Sequence, residues 1–333
     1  MSVIIPVYNE GRWLQQLHSS LVNNGYPGER LELIFVDGGS TDGSVEQLKV
    51  LQARSGGVKL FFNPKRNTSR SLNLAIARAR GELILRADAH AWYERHYIEH
   101  SVQRLLANPG LGGVGGRARA VGSGSFCSSC IALAVNSLSG NGGVAYRVGG
   151  HARLTDTIWC GCWRRETLQE NGGFNENCVT NQDYELNFRL RAAGKPLLYD
   201  PAIRANYVCR DSLGALARQY YRYGLGRAHT LSIHPRSLRY RQLLALAPFL
   251  AILIALLSLP VLPSLSALLM AGYLLILVSV SLRAMFRGQG LAKSLGVAPS
   301  LSVMHLCWGA GFFAGVFRHI GRVFFQPLLQ GRV

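Results

Sequence analysis

The chain has 333 residues, 48% of them hydrophobic, and a formal net charge of +18 from 36 basic and 18 acidic side chains. This length suits one domain of about 230 residues followed by a membrane section. The first residues lack a basic stretch followed by an apolar one, so we expect no signal peptide and a first domain that stays in the cytoplasm.

The charge is divided unevenly along the chain. Every acidic residue lies within residues 1–211, whereas twelve Arg and Lys residues follow Asp211. No charged residue occurs between Leu243 and Leu282. The basic residues of the last third flank apolar runs, which favours anionic lipid over nucleic acid as their partner. The sequence therefore predicts a membrane protein that does not bind nucleic acid.

The front of the chain alternates between short apolar runs and helical patterns. Such alternation predicts an α/β fold with a mostly parallel sheet flanked by helices. Ligands bind beyond the carboxyl ends of such strands, where Asp37 and Asp88 follow predicted strands. The predicted strands are Val3–Val7, Leu31–Val36, Val58–Phe62 and Glu82–Leu85, and the predicted helices are Glu10–Asn23, Ser44–Ala53 and Arg70–Arg80.

The middle of the chain has weaker patterns. Residues 110–150 are rich in Gly and Ser, which predicts a loop and a short helix near the sheet edge that could touch the membrane. Strand character resumes over Thr155–Trp163, a loop and then a helix follow over Glu176–Ala193, and Leu213–Thr230 has a helical pattern. The seven cysteines lack zinc-site spacing and indicate neither a metal site nor a disulfide framework.

The sequence predicts two domains, 1–230 and a membrane section at 231–333. Apolar stretches at Gln242–Leu259 and Leu262–Leu282 are each long enough to cross a ~30 Å hydrocarbon core. Their basic outer flanks place both ends, and the first domain, on the cytoplasmic side. A third stretch, Leu295–Phe317, is a span or a re-entrant or interfacial segment, and the cations after it (Arg318, Arg322, Arg332) favour the latter.

Two acidic motifs follow the predicted strands. Asp37 begins a Gly- and Ser-rich loop that either contacts a ligand or forms an ordinary turn with helix caps. Asp88 and His90 lie two residues apart, a spacing that lets both grip Mg²⁺ or Mn²⁺ from one side of an extended backbone. The alternative is that Asp88 lies on the surface and His90 makes ordinary hydrogen bonds, without a metal. The neighbouring Arg86 is either a phosphate contact or a salt-bridge partner.

Asp183 lies in the segment NQDYELNFRLR, just ahead of a helical pattern. One interpretation is helix capping by Asn181 and Asp183, with Glu185 favoured by the helix dipole. The other is that Asp183 is a general base that deprotonates a sugar hydroxyl, with Glu185 as the weaker candidate.

Gln219, Arg222 and Tyr223 share one region of the last predicted helix of the first domain. They indicate either an amphipathic helix at the lipid headgroups or a functional cluster. In the functional interpretation Arg222 binds a diphosphate, and Gln219 and Tyr223 shape the acceptor side of the site.

Together, VIIPVYNE, VDGGSTDGS, ADAH, NQDYELNFRL and RQYYRYG resemble the ordered motifs of the inverting glycosyltransferases of family 2, which have the GT-A fold. The resemblance covers about residues 1–230, and is greatest to the succinoglycan-type exopolysaccharide transferases. It implies a nucleoside diphosphate sugar donor, foremost a UDP-sugar. It also implies donor contacts at Pro6, Tyr8, Glu10, Asp37 and Asp88, metal at Asp88, and the base at Asp183.

Two positions depart from the family pattern. Arg86 replaces the first Asp of the usual DxD motif, so a metal would depend on Asp88 with His90, and Gln182 replaces a Glu before the base. We expect a metal-dependent transferase at the inner membrane that extends a polyprenyl-diphosphate-linked saccharide in exopolysaccharide or surface glycan synthesis. Alternatives are a processive polysaccharide synthase and a non-catalytic membrane adaptor.

Overall fold

The computed structural model describes the backbone of residues 1–330 and the side chains of residues 1–321. Arg332 and the side chain of Arg322 lie outside the described residues. The chain forms two compact units. The first, here called the sheet unit, comprises Met1–Arg119 and Val144–Val208, and the second, the helical unit, comprises Ala120–Gly143 and the chain from Cys209 onward. The front domain is therefore interrupted by a segment that belongs to the helical unit.

Nine strands and thirteen α-helices are formed by the described residues. The strands are β1 (Ser2–Val7), β2 (Glu32–Asp37), β3 (Val58–Phe62), β4 (Leu83–Arg86), β5 (Ala91–Tyr93), β6 (Gly113–Val121), β7 (Arg153–Thr155), β8 (Cys162–Arg164) and β9 (Leu197–Val208). The helices are α1 (Gly11–Val22), α2 (Ser44–Arg54), α3 (Thr68–Arg78), α4 (Tyr97–Ala107), α5 (Phe126–Asn136), α6 (Leu138–Asn141), α7 (Ala145–Val148), α8 (Arg165–Glu170), α9 (Gln182–Ala192), α10 (Leu213–Ile233), α11 (Tyr240–Ser258), α12 (Pro263–Phe286) and α13 (Leu291–Gln330).

The sheet has the strand order β3-β2-β1-β4-β8-β6-β9-β5, with β7 paired to β9. Strands β1 to β4 are parallel, as their alternation with helices predicted. Strand β8 runs antiparallel to β4, and β5 and β7 run antiparallel to β9. The parallel half therefore confirms the predicted α/β architecture, and the other half makes the sheet mixed.

The two faces of the sheet bury separate apolar clusters. Val3 and Ile5 of β1 face one side and pack with Leu14 of α1, whereas Ile4 faces the other side and packs with Leu72 of α3. Side chains of successive strand residues point to opposite faces. A strand that is buried on both faces has a continuous apolar sequence, which is why β1 and β2 could be predicted from the sequence.

The predicted loop at residues 110–150 is wrong over β6. Its glycines allow neighbouring groups to approach closely: a Cβ on Gly116 would lie 1.9 Å from the Ile203 carbonyl oxygen, and one on Gly113 would lie 2.5 Å from Trp163. Gly in a strand often marks such an approach rather than a loop. The predicted strand Thr155–Trp163 is also wrong in its centre, because only its ends form β7 and β8.

The helical unit contains three helices long and apolar enough to cross a membrane, α11, α12 and the Leu291–Gly321 part of α13. The predicted apolar stretches coincide with α11 and α12 to within a few residues, and the intervening prolines lie at the turn and at the start of α12. Helix α13 is continuous across Leu295–Phe317, whereas a re-entrant loop needs a break there. Whether α13 crosses the membrane stays a prediction.

Candidate active site

A buried guanidinium joins two carboxylates beyond the carboxyl end of β4. Arg86 ends this strand, and its Nε and Nη2 donate to Asp88 Oδ1 at 3.2 and 2.8 Å. Its Nη1 donates to Asp183, 97 residues later in the chain, in the first turn of α9. The side chains of both aspartates are 16% exposed, so a ligand can reach them. The structure thus brings together two acids that the sequence placed in separate motifs.

This geometry bears on the alternative roles predicted for Arg86, Asn181 and Glu185. Arg86 is a salt-bridge partner of both aspartates, and its predicted contact with a phosphate stays a prediction. Asn181 occupies the N-cap position of α9 with a φ of +61° and makes no side-chain capping bond. Glu185 is buried and ion-paired with Arg189 at 2.8 Å, so it already has a structural partner. Of the two acids of α9, Asp183 is therefore the one whose side chain is partly exposed.

Burial and charge act in opposite directions on the two aspartates. Burial raises the pKa of Asp183, Arg86 opposes that change, and the Asp88 charge adds to it, with a raised pKa as the result. Burial also opposes ionisation of Asp88, but Arg86, His90 and a hydrogen bond from the Cys160 thiol outweigh it and lower the pKa of Asp88. One acid is therefore biased toward holding charge and the other toward accepting a proton.

Cys160 is a site residue that sequence reasoning missed. Its backbone N–H hydrogen-bonds Asp183 and its thiol hydrogen-bonds Asp88. Its carbonyl accepts from the Tyr97 hydroxyl at 3.1 Å, and its φ is +44°, in the left-handed region that is costly for a residue with a Cβ. The sequence carries no signal for this conformation, because the positive φ of Cys160 depends on its tertiary contacts.

His90 lies against Glu10, which places two predicted ligand-binding residues together. His90 Nδ1 lies 3.0 Å from Glu10 Oε1. With Nδ1 donating to this carboxylate, the neutral imidazole has its lone pair on Nε2, the arrangement common in metal-binding histidines. The Asp88 backbone N–H donates to the Tyr93 hydroxyl at 2.9 Å, which fixes the start of this segment.

The residues present fit a divalent cation that is shared with a substrate rather than fully enclosed by protein. Among the residues described, no group of three or more His, Cys, Asp and Glu side chains could hold a metal. Asp88 and His90 offer one oxygen and one nitrogen ligand, and Mg²⁺ sites typically combine one or two carboxylates with substrate phosphates and water. Imidazole suits Mn²⁺ better. The donor set is consistent with either ion bound together with a diphosphate.

The loop after β2 is organised by Asp37. Asp37 is fully buried, and its carboxylate accepts hydrogen bonds from the Gly39 and Ser40 N–H groups and the Ser40 hydroxyl. Its predicted contact with the donor stays a prediction. Tyr8 is 43% exposed with the Arg66 guanidinium 5.0 Å from its ring centroid, and Pro6 pairs with Val36 in the sheet.

The remaining predicted residues lie on α10 in the helical unit. Gln219 Nε2 donates to the Tyr223 hydroxyl at 2.9 Å, one helical turn away. Arg222 and Tyr223 are exposed. Their predicted roles toward a diphosphate and an acceptor stay predictions.

Both halves of the chain match known protein families. The model "Glycosyl transferase family 2" matches residues 2–136, and "Glycosyl transferase family group 2" matches residues 158–313. The succinoglycan biosynthesis protein ExoA of Rhizobium meliloti is 30% identical over 93% of each chain. The dolichyl N-acetyl-alpha-D-glucosaminyl phosphate 3-beta-D-2,3-diacetamido-2,3-dideoxy-beta-D-glucuronosyltransferase of Methanococcus voltae is 28% identical over 67% of this chain and 71% of its own.

Among solved structures, a mannosyltransferase from Pyrobaculum calidifontis, determined in complex with GDP-Man and Mn²⁺, matches with a TM-score of 0.55. It is 18% identical and covers 91% of this chain and 86% of its own, a likeness that shows a GT-A fold. The family matches, the long relative and the mixed sheet agree with the motifs read from sequence. The chain belongs to glycosyl transferase family 2 and is a glycosyltransferase with the GT-A fold.

Proposed function

We propose that this protein is an inverting, metal-dependent glycosyltransferase that moves a sugar from a nucleoside diphosphate sugar to a polyprenyl-diphosphate-linked saccharide. The observation that carries the proposal is the meeting of Asp88 and Asp183 at one buried guanidinium beyond the carboxyl end of β4. Ligands of such sheets bind at this edge. The relative named for succinoglycan biosynthesis supports a role in exopolysaccharide or surface glycan synthesis.

Asp183 is the general base of the proposed reaction. Its carboxylate takes the proton of an acceptor hydroxyl while that oxygen attacks the anomeric carbon of the donor. The bond from this carbon to the diphosphate oxygen breaks on the opposite side, so one displacement inverts the anomeric centre. The raised pKa of Asp183 brings the base closer to the working pH, which improves proton transfer. The Cys160 N–H and Arg86 hold the carboxylate in place.

The donor is bound by residues at or just beyond the carboxyl ends of β1, β2 and β4. We assign Pro6, Tyr8, Glu10 and Asp37 to the nucleoside side, with a UDP-sugar as the first donor to test. Mn²⁺ or Mg²⁺ held by Asp88 and His90 would neutralise charge on the departing diphosphate. Arg222 is assigned to the same diphosphate, and Gln219 and Tyr223 to the acceptor side.

The helical unit anchors the enzyme beside its lipid-linked acceptor. Helices α11 and α12 form a hairpin with basic flanks, which under the positive-inside tendency places both outer ends in the cytoplasm. We therefore assign the protein to the inner membrane, with the sheet unit facing the cytoplasm. Substrate held in a lipid phase near the site gains effective concentration.

Sugar transfer by the full-length protein in lipid nanodiscs tests this function. UDP-, GDP- and dTDP-sugars are supplied in turn with Mn²⁺, Mg²⁺ or EDTA and a pool of polyprenyl-diphosphate saccharides. We expect transfer from one donor, loss with EDTA, and a loss of about 10³-fold or more in Asp183→Asn, which lacks the base.

The matched control is Glu46→Gln, which removes an exposed acid from α2 and should leave transfer unchanged. Equal transfer by the wild type and Asp183→Asn would refute the assigned base. Transfer to free sugars as efficient as transfer to the lipid-linked pool would refute the proposed acceptor.

A further inference from the structure

An uncharged segment leaves the sheet unit and joins the helical unit. Between Arg119 and Arg147 the sequence contains no Asp, Glu, Lys, Arg or His. Its residues Ala120–Gly143 belong to the helical unit and form α5 and α6. Charged residues normally cover a surface that faces water, so a run of this length without any charge is typical of a segment that is buried in the protein or faces an apolar environment.

Close contacts attach this segment to α13. A Cβ added to Gly296 of α13 would lie 2.4 Å from the Cys130 Sγ of α5, so this contact requires glycine. Gly140 of α6 also approaches α13, where a Cβ would lie 2.9 Å from the terminal carbon of the flexible Met304 side chain. His305 Nε2 donates to the Ser139 carbonyl at 3.0 Å. Close approach through glycine, joined by interhelical hydrogen bonds, is typical of helices that associate in lipid.

The segment also carries exposed apolar side chains. Phe126 at the start of α5 is 56% exposed and Leu138 at the start of α6 is 61% exposed. Their exposure matches that of the outward leucines of the apolar hairpin, such as Leu256 at 64% and Leu275 at 71%. Helices α5 and α6 pack on α13, so these exposed apolar side chains belong to elements attached to a candidate membrane helix.

We propose that residues 120–146 are a further membrane-contacting element, whose partner is the lipid bilayer itself. Helices α5 and α6 lie at the boundary between headgroups and acyl chains, with Phe126 and Leu138 as anchors. The inference rests on the membrane placement in the proposed function. Because the segment joins β6 to α7, the chain of the sheet unit reaches the lipid phase between two of its own elements, and not only through its C-terminal tether.

Lipid photolabelling of the full-length protein tests this surface. The protein is reconstituted in nanodiscs that contain a phospholipid with a diazirine in its acyl chain, irradiated and digested with trypsin. Cleavage after Arg119 and Arg147 releases the segment as the peptide 120–147. The hairpin gives the peptide 242–283 as the positive reference, and the peptide 105–117 contains Leu106 of α4, 63% exposed in the sheet unit, as the negative reference.

We expect labelling of 120–147 within about threefold of 242–283, and none of 105–117. The double variant Phe126→Ser, Leu138→Ser should at least halve labelling of 120–147 relative to 242–283, whereas Leu106→Ser should leave this ratio unchanged. Labelling of 242–283 with none of 120–147 would overturn the inference and leave the membrane anchor standing. Absence of label from both peptides would overturn the membrane placement together with the inference.

Discussion

The sheet unit and the helical unit are stabilised by different interactions. The sheet unit holds every acidic residue except Asp211 and buries several of them against cations, as in the Arg86 cluster and the pair of Glu185 with Arg189. The helical unit has only Asp211 to pair in this way, and its helices approach one another closely through glycines. A Cβ on Gly311 of α13 would lie 2.1 Å from the Tyr221 carbonyl oxygen of α10, and one on Gly224 would lie 2.1 Å from the Trp308 carbonyl oxygen.

This difference reflects the surroundings proposed for each unit. A domain in water can pair buried charges and expose others, and it can use the buried pairs for chemistry. Helices in lipid gain little from apolar burial, so close packing of small residues carries more of their association. Removing a buried charge should therefore damage the first unit, and adding a methyl group where two helices meet should damage the second.

The largest effect on stability is expected from Arg86→Ala. It leaves Asp88 and Asp183 without their shared cation, and breaking a buried ion pair from one side costs about 3–5 kcal/mol. Amide hydrogen exchange in the sheet unit should show this decrease in the free energy of unfolding. Arg95→Ala, which removes an exposed cation, should change stability by less than about 0.5 kcal/mol. Equal effects of the two variants would contradict the described cluster.

A methyl group at Gly311 tests the helical unit. Gly311→Ala forces α13 away from α10 and should destabilise this unit by about 3 kcal/mol, the upper end of the usual overpacking range. Gly272→Ala in α12 is the matched control, since a Cβ there meets nothing within 4 Å and alanine favours the helix by up to about 1 kcal/mol. The midpoint of thermal unfolding, measured in the same detergent, compares the two variants. A stable Gly311→Ala variant would refute the glycine contact.

Acid should weaken the sheet unit through Glu32. Burial alone would raise the pKa of Glu32, but Lys59, the Ser2 hydroxyl and the Arg80 N–H outweigh it and lower it from 4.5 to about 2. A lowered carboxyl pKa stabilises the fold above about pH 5, and this stabilisation disappears as the pH falls toward about 2. Since Glu32 is partly exposed, we expect about 2 kcal/mol.

Glu32→Gln should remove this contribution at neutral pH and flatten the stability of the sheet unit between about pH 5 and 2. Glu29→Gln, at an exposed acid nearby, is the control and should retain the wild-type pH dependence. Identical pH profiles for both variants, measured by hydrogen exchange in the sheet unit, would contradict the assignment.

The smallest effect is expected at Cys160. Cys160→Ala removes the thiol hydrogen bond to Asp88 and keeps the backbone N–H bond to Asp183. We expect the donor KM to rise about tenfold, roughly 1.4 kcal/mol, with a smaller change in kcat. Cys160→Ser retains a donor of similar size and should restore the KM. A purely structural role would lower stability without this separation of KM from kcat.

Much of the parallel half of the sheet could be predicted because local pattern and tertiary environment agree there. The positions of Asp88 after β4 and of Asp183 at the start of α9 were also predictable from the sequence pattern. Their shared contact with Arg86 was not, since it depends on how α9 packs 97 residues later. The strand β6 was missed because a glycine-rich sequence usually predicts a loop. Only the structure shows that Gly116 is needed for the close approach of Ile203. The backbone conformation of Cys160 likewise depends on tertiary structure.

The anomeric configuration of the product tests the central claim most directly. The active donor from the nanodisc assay, in its α-linked form, is used with the wild-type protein, and the new glycosidic bond is examined by proton NMR. A single displacement assisted by Asp183 predicts a β-linkage. An α-linkage would contradict the assigned mechanism, because it requires either a second displacement or a different course of reaction.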